Sequence, residues 1–332
     1  INIGQTELLP QGALGKLSNE PSVSIIVPTY NEENNIEACL RSLRALEYST
    51  YEIIVSDGGS KDRTVELAKP FADKIIVDSF LPEGWIGKNW GCHLGVQEAT
   101  GQLLLFTDAD TTHTRGSLRK AVKVMQQKNA ALVSMIPFQQ MERWWEKIIP
   151  IYFFLSFLVI GGKKRVNDPN KKDSFMAVGQ YLLFSREAYN KIGGHVNIKG
   201  SIVEDYAFAR VVKTLLGSLY LMDNHRLVSA RMYPDSVSQC WVGWKKCLYA
   251  GLRITPGRGI IFIVFFVLWA LFAPFTIILT IFFGSWITIT IMSISYCLYS
   301  LILAHYWNSR GQKSLITYLC YPLLLILSLI HI

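Results

Sequence analysis

The sequence predicts an α/β fold, a mostly parallel sheet with helices on both faces, followed by transmembrane helices at the C-terminal end. Three observations predict it. Short β-rich runs alternate with helical patterns across residues 22–135. Polar or acidic clusters follow three of those runs. From Ile261 to Ile332 there is no Asp or Glu, and Arg310 and Lys313 are the only Lys or Arg. At 332 residues the chain has room for one large domain or two small ones.

The strands are expected at Val23–Val27, Tyr51–Val55, Lys74–Val77, Gln102–Phe106 and Ala131–Met135. Helical patterns fill the intervals at Glu32–Leu46, Asp62–Phe71, Asn89–Ala99 and Ser117–Lys128. This alternation means βαβ units, hence a sheet covered on both faces. Ligands of such sheets bind at the carboxyl ends of the strands. The clusters stand at those ends: Pro28–Glu32, Ser56–Ser60 and Thr107–Asp110. Residues 141–165 differ. Trp144, Trp145 and Lys147 lead into IIPIYFFLSFLVI, which is too short to span a bilayer. It reads as a helix lying in the membrane interface, with a buried core helix as the other reading.

The tail holds three apolar runs, about Gly259–Phe283, Trp286–Ala304 and Leu315–Ile332. Each is near the ~20 residues a membrane-spanning helix needs. The expected layout is a lead segment at 1–20, a catalytic-type domain at 21–258 and a membrane domain of about three helices at 259–332. Lys245, Lys246, Arg253 and Arg258 precede the first run, and Arg310 and Lys313 lie on the same side. The positive-inside rule therefore places residues 1–258 in the cytoplasm. The net charge of +8 suits anionic lipid head groups rather than nucleic acid. The six cysteines form no CxxC pair, as expected of reduced thiols in a cytosolic setting. Residues 1–20 carry no signal-peptide pattern.

Common nucleotide fingerprints are missing. There is no GxGxxG, and Gly84-Trp85-Ile86-Gly87-Lys88-Asn89 is too short for a Walker A loop, with Asn89 where Ser or Thr would hold magnesium. Asp108 and Asp110 offer another route to a phosphate ligand, because two carboxylates hold a hard divalent ion that bridges to diphosphate oxygens. Alone, the pair reads sooner as a helix cap or an acidic turn; its place after LLLF, at a strand's carboxyl end, shifts the balance toward the ion.

The ordered set PTYNEENNI, SDGGSKDRT, TDAD and Glu204-Asp205 resembles the family-two glycosyltransferases over roughly residues 21–250. The resemblance implies the GT-A, Rossmann-like nucleotide-sugar fold and a nucleotide-sugar donor, a UDP-sugar being the family's commonest. By the same resemblance Pro28, Tyr30, Glu32 and Asp57 grip base and ribose, and Lys88 faces the nucleotide. Asp108 lies near ribose and phosphate, and Asp110, with Asp108, holds Mg²⁺ or Mn²⁺. Gly179, Gln180 and Glu204 lie on the acceptor side, and Asp205 is the general base. The plain alternatives are a helix first-turn charge for Glu32, an Asx turn for Asp57, a loop lysine for Lys88 and solvated N-terminal acids for Glu204 and Asp205.

Arg231, Gln239, Trp244 and Lys245 partly resemble the segment that follows the base in polymer-making members, but the QxxRW form is absent. The pattern looks more like hopanoid- and carotenoid-type lipid glycosyltransferases. Arg231, Trp244 and Lys245 would then serve the leaving group and acceptor, or touch lipid head groups. His113 reads as a loop residue rather than a metal neighbour. The expected activity is metal-dependent, inverting transfer of a sugar to a membrane-lipid hydroxyl on the cytoplasmic face. The alternatives are a polyprenyl-phosphate glycosyl synthase and a non-catalytic scaffold that binds sugar nucleotides.

Overall fold

The computed structural model describes residues 20–150, 160–222, 226–243, 284–307 and 315–319, and the single positions 153, 156, 245, 261, 264, 265, 268, 272, 282 and 311. In chain order the strands are β1 (Val23–Thr29), β2 (Tyr51–Asp57), β3 (Lys74–Val77), β4 (Leu103–Phe106), β5 (Thr111–His113), β6 (Leu132–Met135), β7 (Phe138–Gln139), β8 (Leu182–Ser185), β9 (Leu219–Met222) and β10 (Val228–Ala230). Seven of them form one sheet in the order β3-β2-β1-β4-β8-β6-β9, and β5-β10-β7 form a small second sheet. The large sheet is parallel except at β8, which runs antiparallel to both β4 and β6.

The alternation of a strand's side chains divides the interior in two. Ile25, Val27, Ile53, Val55 and Leu105 point to one face. There they meet Leu40 and Leu43 of α1 (Ile36–Arg44) and Leu118 and Val122 of α4 (Ser117–Lys128). Ile26, Ile54, Leu104 and Phe106 point to the other. That face is covered by α3 (Gly87–Glu98) through Cys92 and by α8 (Glu204–Leu215) through Phe208 and Val212. The shorter α2 (Thr64–Ala68), α5 (Lys163–Val166), α6 (Arg186–Lys191) and α7 (Gly194–Asn197) complete the layers. The expected strands are all present; β5 and β7 to β10 were not expected.

Toward the C-terminus, α9 (Trp286–Trp307) and α10 (Leu315–Leu319) follow. With a mean hydropathy of 1.9 over its best window, α9 is the one helix among the described residues long and apolar enough to cross a membrane. Trp286, Ile287, Ile291, Leu298 and Leu301 are exposed along it. Its last turn behaves differently: Leu303 and Trp307 are fully buried, and Trp307 joins the core beside Phe153 and Ile149. Thus the described apolar positions Ile149 and Phe153 of the expected interfacial helix face the protein interior, while Trp144 is exposed. The first and third expected spans lie largely outside the described residues.

Candidate active site

β1 and β2 lie in register, Pro28 beside Ser56 and Thr29 beside Asp57, so their polar ends form one rim. Asp57 is buried there and accepts from Gly59 N at 3.0 Å, Ser60 N at 2.8 Å, Thr29 Oγ1 at 3.1 Å and Ser60 Oγ at 2.5 Å. A carboxylate has about four acceptor positions. All are engaged, by Thr29 of β1 and by Gly59 and Ser60 of the loop after β2, so Asp57 ties the two strand ends together. Tyr30 is exposed over Gly58, and half-buried Pro28 packs near Gly91. Glu32 accepts from Asn35 Nδ2 at 2.8 Å. Burial pushes its carboxyl pKa up, and the nearby charges of Asp108, Asp235 and Asp62 add to the shift.

β4 delivers Asp108 and Asp110 to the same end of the sheet. The Lys88 ammonium lies 2.6 Å from Asp108 Oδ1 and 2.6 Å from Glu204 Oε1, bridging the two halves of the site. Burial pulls its pKa down, but Asp108 and Glu204 outweigh that and hold it well above the ordinary lysine value. The pKa of Asp110 is pushed up to about 8, first by burial and then by Asp108 and Glu32. Its Oδ1 is buried and has no hydrogen-bond partner. Among the described residues no group of three or more His, Cys, Asp and Glu gathers as a metal cage. A magnesium-like ion does not require one, since one or two carboxylates plus substrate phosphates satisfy it. The orphaned oxygen of Asp110 fits that arrangement, with Asp108 as its neighbour.

At the start of α8, Gly179 N donates to Asp205 Oδ2 at 2.9 Å and Tyr206 N to Oδ1 at 2.7 Å. A Cβ on Gly179 would stand 2.9 Å from Glu204 Oε1 and 3.3 Å from Lys88 Nζ, so a side chain there would push the Glu204 carboxylate and the Lys88 ammonium out of place. Glu204 and Asp205 open α8, where the helix dipole favours anions. Even so, Asp205 is pushed up to about 7, by burial first and then by Glu204, against the pull of Lys88 and the two N–H donors. A half-buried carboxyl group with such a pKa is suited to general-base work near neutral pH.

Residues 24–193 match the family described as Glycosyl transferase family 2. The chain belongs to that family. It is 26% identical over 247 residues to 4,4'-diaponeurosporenoate glycosyltransferase of Staphylococcus haemolyticus (strain JCSC1435), covering 73% of this chain and 65% of the relative. The chain thus spans just under two thirds of that relative's length. To the protein of the same name in Staphylococcus aureus (strain USA300) it is 24% identical over 309 residues, 92% of this chain and 81% of the relative. The structure of mannosyltransferase PcManGT from Pyrobaculum calidifontis, in complex with GDP-Man and Mn²⁺, aligns with a TM-score of 0.54 at 18% identity, covering 94% of this chain and 87% of that one. That likeness supports the GT-A fold.

Among the described residues, the contacts given above do not include the other expected site residues of this glycosyltransferase. Arg231 pairs with the fully buried Glu146 at 2.9 Å and with Glu142 at 3.0 Å, so it anchors the turn at Trp145–Ile148. Lys245 is exposed, and Trp244 lies outside the described residues. His113 is no loop residue: it ends β5, buried, with Nε2 3.1 Å from both Thr107 Oγ1 and Thr111 Oγ1. Sequence reasoning missed Asn89 as a structural clamp. Its Nδ2 donates to the carbonyls of Ile198, Lys199 and Ser201 at 3.2, 3.0 and 3.0 Å, fixing the approach to α8. The signal was present in GWIGKNWG, where Asn89 drew notice only as a missing Ser or Thr.

Proposed function

We propose that this glycosyltransferase moves a sugar, with inversion, from a nucleoside-diphosphate sugar to the hydroxyl of a membrane lipid at the cytoplasmic bilayer surface. The observation that carries the reading is the cluster in which Asp205, Glu204, Lys88 and Asp108 meet around Gly179. Asp205 takes the proton of the acceptor hydroxyl while that oxygen forms its bond to the anomeric carbon. The bond from that carbon to the diphosphate breaks, and the electron pair leaves with the diphosphate. Lys88 supplies positive charge beside it. A divalent ion held by Asp110 and Asp108 would neutralise further diphosphate charge when bound. The tail, with its exposed apolar helix α9, anchors the enzyme as an integral membrane protein and keeps the site at an acceptor that cannot leave the bilayer.

A second reading draws on the relatives' name, whose first word, 4,4'-diaponeurosporenoate, carries the ending of a carboxylate. With an acceptor that is already an anion, whether a carboxylate or a polyprenyl phosphate, no proton needs removing and Asp205 matters less. The experiment is nucleoside-diphosphate release by detergent-purified protein with Mn²⁺, membrane lipid extract and a panel of sugar nucleotides, UDP-sugars first. Release stimulated by lipid and lost in both Asp110→Asn and Asp205→Asn supports the hydroxyl acceptor. Survival of Asp205→Asn alone supports the anionic one. No release from any donor, with nucleotide binding intact, points to a scaffold.

A further inference from the structure

Three buried side chains around the acidic turn are unused by the transfer chemistry. Thr107 follows β4, and Thr111 and His113 begin and end β5, so they bracket Asp108 and Asp110 in the chain. Each threonine has one hydroxyl hydrogen. Thr107 Oγ1 donates its own to the Gln180 carbonyl at 2.8 Å, and Thr111 Oγ1 donates to the Asp108 carbonyl at 2.7 Å. Yet the two hydroxyl oxygens lie 3.0 Å apart, and His113 Nε2 is 3.1 Å from each. With both threonine hydrogens committed, the one hydrogen left for these three contacts is on Nε2. His113 is therefore the Nε2–H tautomer, donating to both hydroxyl oxygens at once.

The other ring nitrogen agrees. Nδ1 is buried without a hydrogen-bond partner among the described residues, so a hydrogen there would be a stranded donor. Burial also pulls the imidazole pKa down to about 3, which leaves the ring a single hydrogen to place. The ring is held from several sides. His113 N donates to Ser42 Oγ of α1 at 2.9 Å, His113 pairs with Val228 of β10, and the imidazole lies beside Tyr181 with ring centroids 5.9 Å apart.

The two carbonyls belong to opposite sides of the charge cluster. Asp108 meets Lys88 through its carboxylate, and its carbonyl also accepts from Thr111 N at 3.3 Å. Gln180 follows Gly179, whose N–H holds Asp205. We infer that His113 is a positioning residue, whose Nε2–H, shared by Thr107 and Thr111, sets the offset between the Asp108–Asp110 turn and the Gly179–Gln180 backbone that holds Asp205. The inference rests on the reading of that cluster as the transfer site. The offset matters only when both sides act on one reacting centre, so its loss falls on kcat rather than on the KM for the donor.

The full chain in detergent, carrying nitrogen-15-labelled histidine, reports the tautomer by nuclear magnetic resonance. The His113 signal, identified by its loss in His113→Gln, should show Nε2 protonated and Nδ1 bare, unchanged from pH 5 to pH 8. Nucleoside-diphosphate release with Mn²⁺, membrane lipid extract and the sugar-nucleotide panel reports the role. His113→Phe keeps a ring and removes the donor. It should lower kcat by as much as about 10²-fold, the cost of a misplacement near 1 Å, with donor KM little changed. His113→Gln, which can return an N–H to the place of Nε2, should recover most of that loss. Thr111→Val frees the Asp108 carbonyl at nearly constant volume, and serves if the phenylalanine variant fails to fold. An Nδ1–H tautomer would overturn the inference, as would a glutamine variant no better than phenylalanine. So would folded His113→Phe or Thr111→Val with wild-type kcat and only a lowered melting temperature, since His113 would then be merely structural. A wild type silent toward every donor would instead overturn the transfer reading, and the positioning role with it, whatever the tautomer.

Discussion

Asp205 stands between opposing influences. A helix N-terminus, Lys88 and two N–H donors favour its charge, while burial and Glu204 oppose it and prevail, leaving the group near pH 7. The consequence for stability has a definite sign. A carboxyl whose pKa is raised on folding binds more protons folded than unfolded between about pH 4 and 7, so its contribution is full below that window and is lost as pH rises through it. Asp205→Asn should therefore flatten the fall in urea midpoint between pH 5 and pH 8. An unchanged slope would contradict the shift. For a hydroxyl acceptor the catalytic effect runs the other way, because the base must be ionised. The wild-type kcat/KM should rise through about pH 7, and Asp205→Asn should lower kcat about 10²–10⁴-fold.

At the scale of elements, α3 matters for the direction in which it holds its neighbours. Lys88 reaches across to α8 by charge, and Asn89 binds the loop leading into α8 by three hydrogen bonds from a fully buried amide. Asn89→Ala would strand those carbonyls, and the expected loss is about 2–3 kcal/mol of unfolding free energy by denaturant titration. The strands β1 to β4, and α1 and α4, were legible because each has a continuous apolar run or a stripe at helical spacing, bounded by polar residues; α3 buries Asn89, Gly91, Cys92 and Gly95 and carries no such stripe. β8 was not legible, since its antiparallel place between β4 and β6 depends on long-range pairing. The ordered acids disclosed the charge cluster. Side-chain partners did not show in the sequence: nothing local tells that Asp57 is consumed by its own loop, or that Arg231 belongs to Glu146.

For the whole molecule, the decisive residue is Trp307. The boundary expected at residue 258 treats the tail as an anchor, yet the last turn of the apolar helix lies in the same core as Ile26, Phe106 and Phe208. Trp307→Ala should cost about 3–5 kcal/mol, the usual range for emptying a buried aromatic site. Its reporter is the near-ultraviolet circular dichroism melt of the full chain. Unaltered melting would mean that the tail folds apart from the sheet. Shared burial also limits how such a chain can diverge. A helix end packed into the sheet's own interior is no interchangeable cassette, and a graft from a relative would have to bring matching partners for Ile149 and Phe153 with it.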